Sequence, residues 1–314
     1  GANMISEHVM TGLAERFAGR WVDQFDPAVG ILYPAGVAYR LRVDRRDEDS
    51  FSDKLQSLLQ DPPAPNLEAL LIGAWDRDVA SQSSCDAVEQ LARAKDRLPT
   101  LSALFIGDII SDESEMSWIQ QSDMTSVLEA YANLEVFGAR GGSGLSFSSL
   151  RHEKLREFSV QVTHLRPYTM DDICEAHLPN LEYLELWLGC HRYEEPITLE
   201  DMVPILSGKL FPKLTYLGLL NSEIANEIAF ALVNAPIMKQ IKRLNLSKGM
   251  LGDESADALI EALTGSSVEW LNISENFLSD KTIERLKKLP ITVVNRYQDE
   301  EGAEPEYRYV SVAE

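Results

Sequence analysis

The chain has 314 residues, enough for one large or two ordinary domains, and its 45% apolar and 25% charged residues are typical of globular rather than disordered proteins. Acidic residues outnumber basic residues by 50 to 29, and the net charge of −21 argues against nucleic acid or an anionic membrane as a partner. No apolar run approaches the length that crosses a bilayer.

The opening residues GANM are typical of a short vector remnant before a native start at Met4, and no basic and then apolar leader follows them. The three cysteines, Cys85, Cys174 and Cys190, are sparse and lack the spacing of a disulfide framework or a zinc site. We therefore expect a cytoplasmic protein with reduced thiols.

Residues 4–65 are predicted to form an N-terminal cap. The stretch VAYRLRVD alternates Val37, Tyr39, Leu41 and Val43, which indicates a strand, and SFSDKLQSLLQD after it has the apolar spacing of a helix. A strand followed by a helix also makes this segment an imperfect first repeat.

Residues 66–297 repeat the pattern L-x-x-L-x-L, and the starts of the segments lie 34, 33, 21, 26, 33, 27 and 27 residues apart. Eight segments fit, beginning at Leu67, Leu101, Leu134, Leu155, Leu181, Leu214, Ile241 and Val268. ITVVN from Ile291 looks like a degenerate ninth unit. Each segment predicts a short strand whose leucines are buried only when neighbouring units stack.

The residues between these strands mostly carry helical periodicity, as in DESADALIEALTG, which begins at the cap candidate Asp253 and ends at Gly265. The unit containing ARGGSGLSFSSLRHEK has no helical face, and HLRPYTMDDICEAHLP has room for a short helix only. The pattern predicts an α/β solenoid of about eight to nine repeats: a right-handed horseshoe with a parallel concave sheet and a mostly helical convex side.

The 27-residue unit IKRLNLSKGMLGDESADALIEALTGSS and the unit after it resemble leucine-rich repeats of the ribonuclease-inhibitor type. The chain from Met4 onward also resembles a family of uncharacterised bacterial leucine-rich-repeat proteins, most specifically in DIISDESEMSWIQQSD. This resemblance implies a cytosolic bacterial solenoid. It implies no activity, and it transfers no catalytic residue.

In L-x-x-L-x-L, the residues on either side of the second and third leucines point away from the core, onto the concave face. Aromatic side chains and an arginine at these positions are typical of protein contact surfaces. The predicted partner-binding residues are Phe105, Tyr183, Trp187, Tyr216, Leu220, Arg243 and Trp270. The alternative is that these rings are covered within the chain, by the cap, by the loop after Leu101 or by Tyr307 and Tyr309.

Acidic residues follow two neighbouring predicted strands, in loops near residues 76–78 and 108–115. Asp108, Asp112 and Glu113 offer oxygen ligands to a divalent cation, but their spacing matches no calcium loop, and a solvated acidic loop is the simpler interpretation. These loops are the alternative site for a small ligand or a metal.

No motif in the sequence predicts catalysis or a cofactor. Cys174 and His177 share a helical face without a second metal-binding pair, adjacent Cys190 and His191 would point to opposite sides of a strand, and the glycine-rich residues 140–144 predict a turn. We therefore predict a non-enzymatic module that binds a protein partner. It is a monomer or a weak homo-oligomer, and association through the aromatic face is the further alternative.

Residues 298–314 are predicted to be an acidic linker followed by a C-terminal strand or tail. QDEEGAEPE is acidic and contains Pro and Gly, whereas YRYVSV after it alternates in a way that a solvated tail does not need. This segment is expected either to add a strand at the open edge of the sheet or to fold back over the array.

Overall fold

The computed structural model of the protein describes residues 12–192, 194–300 and 304–314, and for residues 6–8 the backbone alone. Among these residues, 13 strands form one sheet in which strand order follows chain order. Contacts divide the chain into two compact units, which we describe separately. Unit 1 is Gly1–Gln161, Glu175–Pro179 and Glu314, and unit 2 is Val162–Cys174 and Asn180–Ala313.

Unit 1 begins with two antiparallel pairings, and the pairings from its third to its seventh strand are parallel. Its strands are β1 (Ser6–His8), β2 (Ala14–Phe17), β3 (Arg20–Gln24), β4 (Val37–Leu41), β5 (Ala69–Ile72), β6 (Ala103–Ile106), β7 (Val136–Gly141) and β8 (Glu157–Val162), whose last residue falls in unit 2. Its helices are α1 (Phe51–Gln60), α2 (Cys85–Arg93) and α3 (Thr125–Ala130).

Unit 2 begins with α4 (Pro167–Glu175), whose last residue falls in unit 1, and continues as alternating strands and helices with parallel pairing between successive strands. Its strands are β9 (Tyr183–Gly189), β10 (Tyr216–Ser222), β11 (Arg243–Asn245), β12 (Trp270–Asn272) and β13 (Thr292–Val294). Its other helices are α5 (Leu199–Leu206), α6 (Ala225–Leu232), α7 (Ala256–Leu263) and α8 (Asp280–Lys287).

The predicted strand pattern is confirmed, because each repeat strand from β5 to β13 starts two residues after the first position of its L-x-x-L-x-L segment, or one residue after it in the degenerate unit at Ile291. Leu70 and Leu104 pair in register and are fully buried, as are Leu184 and Leu217. The leucines therefore form the core between the sheet and the helices, which is the burial that a single repeat could not supply.

The residues before the first repeat contain β4 and α1, and β4 pairs in parallel with β5. Ser50 begins α1 with a capping box: its hydroxyl accepts from Asp53 N at 3.2 Å, and the Asp53 carboxylate accepts from Ser50 N at 3.0 Å. The strand and helix that the sequence predicts for this segment are both present.

The two irregular units also follow the sequence. Residues 142–156, all of them described, form no helix between β7 and β8, and α4 is a short helix of nine residues. The Asn276 side chain bridges successive turns: its amide donates to Leu246 O at 2.9 Å, and its oxygen accepts from Leu251 N at 3.0 Å. None of the described helices is both long enough and apolar enough to cross a membrane.

Candidate functional site

The parallel register of β9 to β13 places one residue of each strand in a single row across the sheet of unit 2. Tyr183 pairs with Tyr216, Tyr216 with Arg243, Arg243 with Trp270 and Trp270 with Thr292. We call these five residues the ladder. Four of them occupy the position before the second leucine of their repeats, so the predicted column of concave residues is in register.

Neighbouring side chains of the ladder stack on one another. The rings of Tyr183 and Tyr216 are parallel within 9°, with centroids 3.9 Å apart. The Arg243 guanidinium lies 5.3 Å from the Tyr216 ring centroid and 4.3 Å from the Trp270 ring centroid. Strands in a sheet are about 4.8 Å apart, so in-register planar groups reach stacking distance without displacing the backbone.

A buried carboxylate ties the ladder to the next row of the sheet. Glu185 is 9% exposed and accepts from the hydroxyls of Tyr183 and Tyr216, each at 3.0 Å, and from Trp187 Nε1 at 3.3 Å. Asn245 Nδ2 donates to the Tyr216 hydroxyl at 2.9 Å. Burial, reinforced by the negative charge of Glu185, raises the pKa of both tyrosines well above the usual value, so both remain protonated donors.

Gly218 of β10 makes room for this network. A Cβ at this position would lie 2.7 Å from Leu220 Cδ1 and 3.2 Å from both Glu185 Cγ and Tyr216 Cε1. The missing side chain therefore lets its neighbours close over the sheet. Glu185, Gly218 and Asn245 were not predicted as functional residues, although the sequence places them in the column after the second leucine.

The predicted exposure of the aromatic face is wrong for four of its unit 2 residues. Tyr183, Trp187, Tyr216 and Leu220 are 7%, 7%, 5% and 4% exposed. Stacking and the hydrogen bonds to Glu185 account for the two tyrosines, and Lys248 Nζ lies 5.8 Å from the Trp187 ring centroid. These side chains bury one another because equivalent positions on adjacent strands are too close for large rings to remain separately solvated.

Phe105, the predicted contact residue in unit 1, is fully buried, so the prediction that it is exposed is wrong as well. It packs edge to face against Phe17 of β2, with centroids 6.0 Å apart. Next to this pair, Asp108 accepts from Arg40 Nε at 2.6 Å and from Ala14 N at 3.0 Å. A segment before the first repeat therefore covers Phe105, as the alternative interpretation held.

Arg243 and Trp270, at the β11 and β12 end of the ladder, are partly exposed. Across the described part of the chain, no carboxylate pairs with the Arg243 guanidinium, which is held by the rings on its two sides. A stacked guanidinium keeps its in-plane N–H groups available for a carboxylate or another planar acceptor. Of the seven predicted contact residues, these two are the ones that a partner can reach.

Two carboxylates in the acidic loops of unit 1 pair with arginines. Asp108 is fully buried against Arg40, and Glu113 accepts from Arg42 Nε at 2.5 Å and from Ile110 N at 3.1 Å, while Asp112 is exposed. Asp78 N donates to Asp76 Oδ1 at 2.8 Å within its own turn. In the described ranges, no group of three or more His, Cys, Asp or Glu side chains could hold a metal ion.

Sequence reasoning missed one histidine pair, because its members come from different repeats. The rings of His164 and His191 lie 4.1 Å apart between centroids, and Glu194 and Glu223 lie 2.9 Å from His164 Nε2 and His191 Nδ1. Burial, and then the proximity of His191, lowers the pKa of His164. Both rings also contact backbone carbonyls, which is typical of histidines that hold loops in place.

The remaining residues that the sequence analysis weighed have structural partners. Cys174 Sγ lies 3.8 Å from Asp201 O, and His177 pairs with Glu153 at 3.2 Å. Gly142, in the glycine-rich stretch, donates its N–H to Ile119 O at 3.0 Å, so this stretch packs against the preceding loop.

No family model matches the chain, and no curated protein matches it. Among solved structures, a crystal structure of a Bacteroides fragilis protein is similar with a TM-score of 0.75 and 24% identity, over 89% of this chain and 78% of that one. A TLR13–ssRNA13 complex matches with a TM-score of 0.41 and 16% identity, over 85% of this chain and 37% of that one, and is too distant to carry an argument. The similarity to the Bacteroides fragilis protein shows a shared fold alone. The repeats and the parallel strand pairing of this chain are those of a leucine-rich-repeat-like fold.

Proposed function

We propose that this chain is a non-enzymatic binding module that holds a protein partner at the partly exposed end of the ladder, Arg243 and Trp270. The observation that supports this is the position of the Arg243 guanidinium: it is fixed between two rings and has no carboxylate partner in the described part of the chain. Trp, Tyr and Arg are the residue types that dominate the energetics of protein interfaces.

The partner in this proposal presents a carboxylate to Arg243 and an apolar group to the Trp270 ring. A guanidinium whose plane is already fixed loses little side-chain entropy when it forms a bidentate pair. The net charge of −21 opposes acidic proteins in general, so the match has to be local and specific. The same charge supports a protein partner rather than nucleic acid or an anionic membrane.

The finer parts of the sequence prediction belong to this proposal. They are a right-handed horseshoe of eight or nine repeats, a cytoplasmic location and a protein that is a monomer or a weak homo-oligomer. The acidic loops near residues 76–78 and 108–115 are not proposed as a second site, because arginines already pair with Asp108 and Glu113.

The proposal is tested by capture from host lysate with four immobilised proteins: wild type, Arg243→Ala, Trp270→Ala and the control Arg285→Ala. Arg285 is an arginine of α8 that pairs with Asp257 at 2.6 Å. We expect wild type and the control to retain the same protein in equal amounts, and both ladder variants to retain at least tenfold less of it. Replacing the carboxylate of the captured partner that contacts Arg243 should then reproduce the loss.

Equal capture by all four folded proteins, or capture by none, would contradict binding at Arg243 and Trp270. Light scattering against concentration separates the self-association alternative. A mass that rises towards twice 35.1 kDa for wild type but not for Arg243→Ala would replace the hetero-partner with a second copy of this chain.

A further inference from the structure

Residues 308–312 follow a short 3-10 turn, Pro305–Tyr307, and lie against the end of β10 and the loop that follows β11, all within unit 2. Their exposure alternates: Arg308, Val310 and Val312 are less exposed than Tyr307, Tyr309 and Ser311. The exposed Tyr309 ring still packs edge to face against Phe277, with centroids 5.5 Å apart. This segment adds no strand to the described sheet and instead folds back across the loops, which is one of the two arrangements expected from its sequence.

The first inward residue is held by charge. The Arg308 guanidinium pairs with both carboxylate oxygens of Glu254, and its side chain is 5% exposed. Gly252 allows this approach, because a Cβ at that position would lie 2.3 Å from Arg308 Nη1. The hydrogen bond from Asn226 Nδ2 to Glu254 Oε1, at 3.2 Å, orients the receiving carboxylate.

The second inward residue is held by burial and the third through its backbone. Val310 is 3% exposed. The Asn221 side chain grips Val312 with two bonds, donating from Nδ2 to Val312 O at 2.7 Å and accepting from Val312 N at 2.9 Å. Between them, Ser311 N donates to Lys248 O at 2.9 Å.

These contacts are those of a peptide-recognition site. The Asn221 side chain and the Lys248 carbonyl bond the backbone of the segment, which supplies affinity for any chain of that shape, and receptors for alternate side chains supply specificity. The specific elements here are a carboxylate for an arginine at the first position and a buried site for a valine two residues later. A partner would satisfy them only by presenting both residue types at that spacing.

We propose that the end of β10 and the loop after β11 form a groove for peptides of the pattern Arg-x-Val, and that residues 308–312 occupy this groove in cis and block it. The partner class is a protein segment with this pattern. The residues that hold the segment include neither Arg243 nor Trp270, so this inference stands whether or not those two residues bind a partner.

The test has to weaken the cis segment first, because a tethered segment competes at an effective concentration that reaches millimolar values for short linkers. The full chain with Val310→Asp carries an acidic residue at a buried position, and the full chain with Arg308→Glu places a carboxylate against Glu254. The probe is a fluorescent peptide of the sequence of residues 304–314, EPEYRYVSVAE, followed by polarisation.

We expect saturable binding of the probe to both opened chains and binding at least 100-fold weaker to wild type. Probes carrying Val310→Asp or Arg308→Ala should lose at least tenfold in affinity, and so should the wild-type probe when Glu254→Gln is added to the Val310→Asp chain. If Val310→Asp fails to fold, Arg308→Glu carries the test. The proposal is overturned if folded opened chains bind no probe, or bind the scrambled peptide equally well.

Discussion

Glu185 organises the ladder, and its removal is the perturbation that tests this account most directly. The Glu185→Ala variant deletes a buried acceptor that receives two phenolic hydroxyls at 3.0 Å and an indole N–H at 3.3 Å. The Tyr216 oxygen would still accept from Asn245, but the O–H groups of Tyr183 and Tyr216 and the indole N–H of Trp187 would all lose the Glu185 acceptor. Glu185→Gln keeps an acceptor of the same shape and removes the charge.

The expected cost of Glu185→Ala follows from these bonds. A buried donor left without a partner costs about 1–3 kcal/mol, and the bond at 3.3 Å lies at the weak end. Because Tyr183 and Tyr216 share one oxygen, the losses are not additive, and we expect a total of about 3 kcal/mol, against about 1 kcal/mol for Glu185→Gln.

The assay is urea denaturation followed by circular dichroism and by tryptophan fluorescence, with the slope of each transition measured. A double-mutant cycle supplies the control: Tyr183→Phe removes one of the two orphaned hydroxyls, so it should cost at least 1 kcal/mol less in the Glu185→Ala background than in wild type. Equal costs in both backgrounds, or a Glu185→Ala variant within about 0.5 kcal/mol of wild type, would refute the network as a source of stability.

Three further perturbations test other parts of the fold. Burial lowers the pKa of His152, whose Nδ1 accepts from Leu155 N at 3.0 Å. The neutral ring therefore stabilises the fold above the unfolded pKa of about 6.5, and this contribution is lost as pH falls through the folded pKa. Urea midpoints between pH 7 and pH 5 should fall less steeply for His152→Asn than for wild type. Asp108→Ala leaves the Arg40 guanidinium buried without that carboxylate and should cost about 3–5 kcal/mol of unfolding free energy. Because Arg40 already pairs with Asp108, calcium or manganese should not shift the wild-type melting temperature, and a cation-dependent shift would restore the metal hypothesis. Gly218→Ala should cost about 1–3 kcal/mol by overpacking, and an unchanged midpoint would mean that its neighbours move aside freely.

The repeat pattern predicted the fold well because periodicity and burial have one cause. A leucine at each inward position is needed in every unit, so the pattern recurs often enough to align strands from Leu67 to the degenerate unit at Ile291. The columns of outward residues then follow from the strand period, which is why Tyr183, Tyr216, Arg243 and Trp270 are in register as predicted.

Exposure could not be predicted in the same way, because it depends on contacts between residues far apart in the sequence. Phe105 is covered by Phe17, 88 residues earlier, and Asp108 meets Arg40 across 68 residues. No local pattern marks either pair. The tail was better predicted, since the alternation around Val310 already indicated that one side of it would be buried.

The ladder suggests why the accessible end of an aromatic row is the part available to a partner. Parallel strands bring equivalent positions within stacking distance, so each ring added to the row removes exposed area from the ring before it. Tyr183 and Tyr216 have reached that limit, with centroids 3.9 Å apart. Arg243 interrupts the row with a group that stacks on rings yet directs N–H groups outward, and the next strand continues it with Thr292, which is too small to cover Trp270. Recognition in this proposal therefore depends on where the row of rings stops, and the buried network around Glu185 keeps that end in place.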